Sequence, residues 1–440
     1  MSVRGSLGRR LVPIPLLAVV LVGRASGQSA TTPSARSEAM AGAYSAVARG
    51  YESSLWNPAT LGLPDRPGWS FGLASASANL RNNALTYGQI TDLYGRFVDD
   101  ATKSRLLADV RSANADGLFE LDFGVGGSVL GFSIGRFGFG LGTRAAGRGD
   151  LSADALELVL FGNDGESGQG KDFSLSGSRA HAWWLSGGYV SYGHPFAVRL
   201  AGGQSIDLSV GASFKYAVMH SYLRFDDLGS SLIYEPLTVD ATAELLESTH
   251  GDAGRVWGFD IGIAARWEDL VAGVALENVV ADVAWDIGNF DLTLYSVESD
   301  FERTITLDST TLYGELDPAD RERLKDAFRR LDPPKQLRLG AAYPPAPKVL
   351  LAVDYYETFG GRLRNQWNRS LAVGGEFSWL RPVPLRAGFA TDFSELALTV
   401  GAGLRLGVFQ ADVALGRWGL ARGEGLVVAL SLGFWPSGSP

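Results

Sequence analysis

The side chains best suited to acid–base or metal chemistry are four histidines, His181, His194, His220 and His250. No two of them stand at the short spacing that a zinc ligand pair uses. His194 precedes Pro195 and reads as a turn residue. A hydrolase built on neighbouring strands could take His181 or His220 as its base, but the sequence offers no partner for either. It contains no GxSxG, no HExxH and no P-loop. The expectation is a protein that is not an enzyme, with no catalytic residue, no metal and no cofactor. The chain has no cysteine, which excludes disulfides and a lipid-anchored cysteine.

A second set of chemically capable residues is charged: Lys215, Asp260, Arg266, Glu277, Arg338, Asp354, Glu376, Arg386, Arg405 and Asp412. Each stands in the small or polar register of a segment whose other register is apolar. Five are basic and five acidic. A pore for ions of one sign would favour one charge. A balanced set predicts ion pairs across a lumen, or polar seats for something held inside it. In a wet lumen each pair contributes only about 0–1 kcal/mol, so positioning is their expected use.

The elements that would position these charges follow from period-2 alternation. Leu396, Leu398, Val400, Ala402, Leu404 and Leu406 alternate with Ala397, Thr399, Gly401, Gly403 and Arg405. Leu426, Val428, Leu430, Leu432 and Phe434 alternate in the same way with Val427, Ala429, Ser431 and Gly433. Strands are predicted at about 68–90, 117–134, 136–150, 172–193, 203–227, 250–267, 270–287, 335–344, 348–358, 367–380, 384–392, 394–406, 408–418 and 425–435. Tight connections at Gly135-Arg136, Glu268-Asp269, Pro345 to Lys348, Arg381 to Val383 and Gly407 alternate with long ones. That parity is the pattern of a transmembrane antiparallel β-barrel of about 14 strands. Aromatic residues near strand ends suit interfacial girdles: Trp69, Trp183, Trp184, Tyr192, Phe196, Trp257, Trp267, Trp379, Trp418, Phe434 and Trp435. Asn79, Asn82 and Asn83 mark the first strand as a place for a kink.

Residues 1–27 have the form of a secretory signal, with Arg4, Arg9 and Arg10 before an apolar run that is too short to span a bilayer. The net charge of −9 becomes more negative without that leader, which argues against nucleic acid as a partner. Residues 28–66 read as a separate N-terminal segment, and 67–440 as the barrel with helical outer loops. A helix is expected from about Arg36 to Arg49, with a break at Gly50 and a restart at Asn57-Pro58, an N-cap and first-turn proline. Three long connections carry helical patterns: Asp92 to Val110, Ser152 to Phe161 and Asp317 to Leu331. In the second, Leu156, Leu158, Leu160 and Phe161 are the candidate for catching a hydrophobic ligand.

The segment SEAMAGAYSAVARGYESSLWNPATLG resembles the N-terminal hatch of FadL-like outer-membrane proteins. That superfamily includes the long-chain fatty-acid transporters and the PorV-type barrels of a secretion system. The shared features are the Gly-Ala-rich MAGAYSAVA, with Gly42, and an aromatic before Asn-Pro-Ala: Trp56, Asn57, Pro58 and Ala59. LVLFGN (158–163) and ALENV (275–279) look closest to a subfamily without assigned function. The resemblance implies a short helical plug folded inside the lumen. It implies passive transport of small, fatty-acid-like hydrophobic molecules across the outer membrane of a Gram-negative-type bacterium, through a lateral opening. The expected partners are outer-membrane lipid and a hydrophobic small molecule. The alternative is a PorV-like membrane platform for a secreted or periplasmic protein.

Overall fold

The computed structural model describes residues 34–93, 97–199, 205–235, 237–299, 304–361, 369–380, 382–419 and 423–436. The expected leader, 1–27, and residues 28–33 lie outside the described residues.

Among the described residues nineteen strands form one sheet. In chain order they are β1 (Trp69–Asn82), β2 (Leu118–Ile134), β3 (Phe137–Ser152), β4 (Phe173–Ser174), β5 (Arg179–Arg199), β6 (Ser205–Asp227), β7 (Ser231–Ile233), β8 (Thr238–Ser248), β9 (Gly254–Trp267) and β10 (Leu270–Trp285). Then come β11 (Phe290–Ser299), β12 (Thr304–Leu312), β13 (Lys335–Ala346), β14 (Val349–Phe359), β15 (Arg369–Phe377), β16 (Leu385–Thr391), β17 (Leu396–Leu406), β18 (Phe409–Trp418) and β19 (Gly425–Phe434). Fourteen close a ring, each antiparallel to its neighbours: β1, β2, β3, β5, β6, β9, β10 and β13 to β19. Closure is direct, because Phe71 of β1 stands opposite Phe132 of β2 and Phe434 of β19. A closed ring leaves no unpaired strand edge.

The segments read as strands correspond in order to these ring strands. The bounds differ most at three strands: the first ends at Asn82, the fourth ring strand, β5, starts at Arg179 and runs on to Arg199, and β9 starts at Gly254. His194 therefore lies in a strand, opposite Val210, and not in a turn. Pro195 is tolerated there because β3 stops pairing at Tyr192, so no partner on that side needs its missing N–H.

The alternation sorts the wall into two faces. In β19, Leu426, Val428, Leu430 and Leu432 point outward and are exposed, while Val427, Ala429, Ser431 and Gly433 point into the ring. Outward apolar residues recur on the other ring strands, among them Ile261 and Ile263 of β9 and Leu351 and Val353 of β14. Such a belt on a closed barrel is the surface that meets lipid. Among the described residues no helix is long and apolar enough to cross a membrane. Trp69, Trp184, Tyr192, Phe196, Trp267 and Trp379 are exposed, as a girdle requires. Trp183, Trp418 and Trp435 are not: they are buried, and Trp435 packs on Tyr51 inside.

At the long-loop end the five remaining strands extend β6. Leu223 of β6 pairs with Glu247 of β8, and β11 and β12 lie beyond β8. Helices α1 (Ala35–Ala39) and α2 (Ser53–Trp56) precede the barrel, and α3 (Tyr87–Leu93), α4 (Asp100–Ala113), α5 (Ala153–Phe161) and α6 (Pro318–Arg329) belong to the same end. The charged pattern from Asp92 is thus two helices, while α5 and α6 start at the expected caps, Ser152 and Asp317. Phe328 of α6 packs on Trp285 and Phe290, with ring centroids 4.8 Å away in each case. Tyr222, Leu246, Leu292 and Leu324 complete this apolar cluster.

Residues 34–63 lie inside the ring and are almost wholly buried. The helix expected to Arg49 spans only Ala35–Ala39, with Ser34 as its N-cap. Ala41 and Gly42 take positive φ, 54° and 83°, which ends the helix and turns the chain across the lumen. A second helix covers Ser53–Trp56, and a 3-10 turn covers Pro58–Gly62.

Candidate functional site

The segment is held at its ends and in its middle by polar groups of the wall. Near its start, Arg36 Nε meets Glu376 Oε2 at 2.9 Å, and Thr399 Oγ1 donates to the Ala39 carbonyl at 3.0 Å. In the middle, the Ser45 N–H and hydroxyl both donate to Asp354, the N–H at 2.9 Å. At the far end, Asp65 is bound by Arg49 at 2.8 Å and by Arg266 of β9 at 3.0 Å. Burial opposes the charge on Arg36, but Glu376, Tyr44 and Glu52 outweigh it and push its pKa still higher. Burial likewise opposes the Asp65 carboxylate, and Arg49 and Arg266 hold it below the usual range.

Between the anchors the fit is steric. A side chain at Gly131 would strike the Tyr51 ring, at Gly340 the Asp354 carboxylate and the Ser45 Cβ, and at Gly374 or Gly388 the Met40 backbone. On the opposite wall, Gly211 and Gly262 leave room for Pro58 and Asn57. These glycines lie on six ring strands, so the segment is packed against the wall around the ring like a core. Asn57 is fully buried. Its Oδ1 accepts from the Ala59 N–H at 3.0 Å, which starts the 3-10 turn, and its Nδ2 donates to the Ile263 carbonyl of β9 at 3.1 Å. Trp56 stacks edge-on against Tyr44, and the Arg338 guanidinium lies 4.7 Å above the Trp56 ring. Gly42 supplies the turn described above.

The structure brings the ten charges together in small groups. Lys215 meets Asp260 at 2.7 Å, and Arg338 meets Glu277 at 2.7 Å, each pair across two adjacent strands. Glu376 receives Arg36, Arg386 and Arg405, while Arg386 also meets Asp412 at 2.6 Å. Arg266 and Asp354 bind the segment directly. Sequence reasoning missed the other half of these contacts, Arg36, Ser45, Arg49 and Asp65. The glycines on inward registers were the available signal.

Glu38 of the segment and Arg144 of β3 make no side-chain hydrogen bond or ion pair among the described residues. Glu38 Oε2 and Arg144 Nη1 are enclosed and without a partner. Burial raises the Glu38 carboxyl to about 7, and the field of Arg144 works against that rise.

The wall is irregular at one level. Between β1 and β2, Gly72 pairs with Gly131 and the ladder resumes only at Ser75 and Ser128. Leu73 and Ala74 are consecutive outward residues on one side of the gap, Val129 and Leu130 on the other. This double bulge breaks the period-2 rule in neighbouring strands. The ring of Tyr51 lies against Gly72 and Gly131 just inside it. Further round the outer wall, over β3, β5 and β6, Phe139, Leu141, Val190, Phe214 and Tyr216 line an apolar dent of about 360 Å³ that reaches β2 only at Leu130. The kink expected near Asn79, Asn82 and Asn83 is absent there, since β1 pairs without a break from Ser75 to Asn82. Asn82 instead caps the loop, accepting from the Ala84 N–H at 3.0 Å.

The mouth holds a larger cavity of about 610 Å³ between β5, β6 and α6. Arg179, His181, Tyr222, Arg224, Arg323 and Leu331 line it. Leu156, Leu158, Leu160 and Phe161 do not line this cavity. They are half-buried on α5, which turns Glu157 inward to meet Arg111 at 2.6 Å and Lys171 at 2.7 Å. Burial opposes the Glu157 charge, but the Glu166 N–H, Lys171 and Arg111 hold its carboxyl below the usual range.

No protein-family model and no curated protein matches the sequence. Among solved structures, the chain is similar to the P. putida toluene transporter TodX, at 12% identity and a TM-score of 0.46, over 93% of this chain and 98% of that one. It is similar to the CymD monoaromatic hydrocarbon channel at 11% identity and a TM-score of 0.45, over 93% and 99%. A FadL homologue is among them. That Pseudomonas aeruginosa protein matches at 13% identity and a TM-score of 0.45, over 93% and 99%. The closure of the barrel and the seating of the segment stand on the strand pairing and contacts of this chain alone.

Proposed function

We propose that the chain is a FadL-like outer-membrane channel that moves small hydrophobic molecules passively, with residues 34–63 as its plug. The observation that carries this reading is the broken β1–β2 pairing, with Tyr51 inside it. Axial passage is obstructed by a plug packed against the wall. A hydrophobic solute entering at the mouth cavity would meet the plug and leave sideways, past Tyr51, into the bilayer. The plug is held by packing, hydrogen bonds and ion pairs, so a small displacement needs no covalent change. No feature of the described residues favours the protein-platform alternative.

The test is a lock. The chain has no cysteine, and a Cβ at Gly138 would stand 3.6 Å from that of Ser54, within disulfide range. Ser54→Cys with Gly138→Cys should tie the plug to β3. Cells expressing the oxidised variant should take up N-phenyl-1-naphthylamine no faster than cells without the channel, and a reductant should restore uptake. If uptake by the wild-type chain does not exceed that of empty cells, the channel reading fails. If the oxidised lock transports normally, plug movement is not part of the mechanism.

A further inference from the structure

At the tight-turn end of the barrel, away from the mouth, lies a cavity of about 450 Å³ lined by Lys348, Ser378, Leu380, Pro382, Pro384 and Arg405. The lining comes from the β13–β14 turn, the β15–β16 connection and the foot of β17. Its charged residues are both cations. Lys348 has no ion pair among the described residues. It takes φ 68°, in the left-handed region that Gly135 and Gly407 fill in two other tight turns, so the chain accepts strain to place a lysine there. Arg405 Nη2 meets Glu376 at 2.9 Å and stays partly exposed. Glu376 also holds Arg386 and, from the plug, Arg36, so three arginines share two carboxylates, Glu376 and Asp412. Arg386 is fully enclosed, and its Nη2 has no partner. It stands just behind the cavity wall, since a Cβ at Gly403 would lie 2.9 Å from Pro384 and 3.1 Å from Arg386 Nη1. This end of the lumen is short of negative charge, and the cavity lies where that charge is missing.

We propose that this cavity binds a phosphate group from the periplasm, as free phosphate or a small phosphomonoester, and that the bound dianion latches the plug. Short turns of an outer-membrane barrel face the periplasm. Arg405 and Lys348 donate to the phosphate oxygens, and the Ser378 hydroxyl, which donates to Glu376 at 3.2 Å, turns to a third. An arginine fork fits phosphate geometry, and a dianion answers two cations where a monoanion answers one. Leu380, Pro382 and Pro384 give the organic part of an ester an apolar surface. The sign of the coupling follows from charge. Arg36, Arg386 and Arg405 repel one another around Glu376. A dianion beside Arg405 offsets that repulsion and leaves Glu376 freer for Arg36. Phosphate is therefore held best when the plug is seated, and by linkage it favours the seated form. The site rests on the cavity and its cations. The latch rests on the reading of residues 34–63 as a plug that moves.

The experiment titrates the full barrel in dodecyl maltoside, a detergent without phosphate, with inorganic phosphate and with acetate at fixed ionic strength, and measures heat. Phosphate should bind at least about ten-fold more tightly than acetate, and Lys348→Gln should weaken phosphate at least about ten-fold, as loss of a charged donor does. Lys348 is exposed in a turn, so this variant remains informative if Arg405→Gln does not assemble. Phosphate should also slow hydrogen exchange across Ala35–Ala39 by about five-fold, and should not do so in Lys348→Gln. No binding of phosphate, equal affinity for acetate, or unchanged affinity in Lys348→Gln overturns the site. Binding that leaves exchange across Ala35–Ala39 unchanged overturns the latch. Displacement of phosphate by added phosphatidylglycerol gives the site to a lipid headgroup and overturns the free ligand. Uptake of N-phenyl-1-naphthylamine without phosphate binding removes the site and leaves the channel. Phosphate binding without uptake removes the channel and leaves the site.

Discussion

The two ends of the barrel are filled by different means. Below, the wall meets the plug through glycines and a few ion pairs. Above, strands and α6 meet through Tyr222, Trp285, Phe290 and Phe328. An aromatic cluster binds by area and tolerates small slips. A backbone seated on glycines has one register, and its polar anchors either hold or do not. The upper end is held by buried apolar area, and the lower end by an exact fit of backbone to wall.

The largest expected effect comes from Glu376→Gln. It leaves Arg36 and Arg405 without their shared carboxylate, and breaking a buried pair costs about 3–5 kcal/mol. Hydrogen exchange should rise across residues 34–63 while the barrel keeps its heat-modifiable migration. Unchanged protection would mean that the glycines alone hold the plug. Phe328→Ala should cost about 3–5 kcal/mol as a large-to-small change in a packed cluster. Its loosening should stay within α6, β8 and β11. Spread of the loosening to residues 34–63 would show the two ends to be one unit and undo the comparison.

A pH effect is next in size. The Glu38 carboxyl rises from 4.5 to about 7 when the plug is seated, so the seated form holds a proton that the released form gives up. Seating is therefore firmest below pH 4.5 and weakens as pH rises through about 7, by about 3 kcal/mol at most. Glu38→Gln should flatten that profile and protect the plug better at pH 8. A profile that is flat in the wild type, or one that strengthens with pH, would contradict the buried position of Glu38. Smallest is Asn57→Ala, which removes a cap worth about 1 kcal/mol and should raise exchange only in Pro58–Gly62 and its contact with β9.

Alternation and loop parity made the ring legible in the sequence. They depend on local pattern and on which residues face lipid, and both are written into each strand separately. The outer strands β7, β8, β11 and β12 were not legible, because the connections from 228 to 250 and from 288 to 333 pair with one another and with β6 rather than repeating locally. Within the site, charges such as Glu376 and Asp354 were visible as polar residues on inward registers. Their partners Arg36 and Ser45 were not, since nothing near them in sequence points across the lumen. The helix read to Arg49 failed for a related reason. Helix propensity is local, whereas the turn at Ala41-Gly42 answers to the wall at Gly374 and Gly388. Trp183, Trp418 and Trp435 stood near strand ends as girdle residues do, and only the register of the closed ring shows that they face inward.

The seat of the plug also dictates an order of assembly. Arg36 finds Glu376 across 340 residues, and Ala39 finds Thr399 across 360. Contacts that span so much chain form late, because a large loop must close before they return anything. The plug belongs to the early part of the sequence, yet its seat is incomplete until β17 has joined the ring. While the barrel inserts, residues 34–63 must wait unsatisfied on the side from which β1 starts. A chaperone that shields them there, or a membrane-insertion machine that closes the β1–β19 seam around them, would act at the step on which the yield of correctly filled barrels depends.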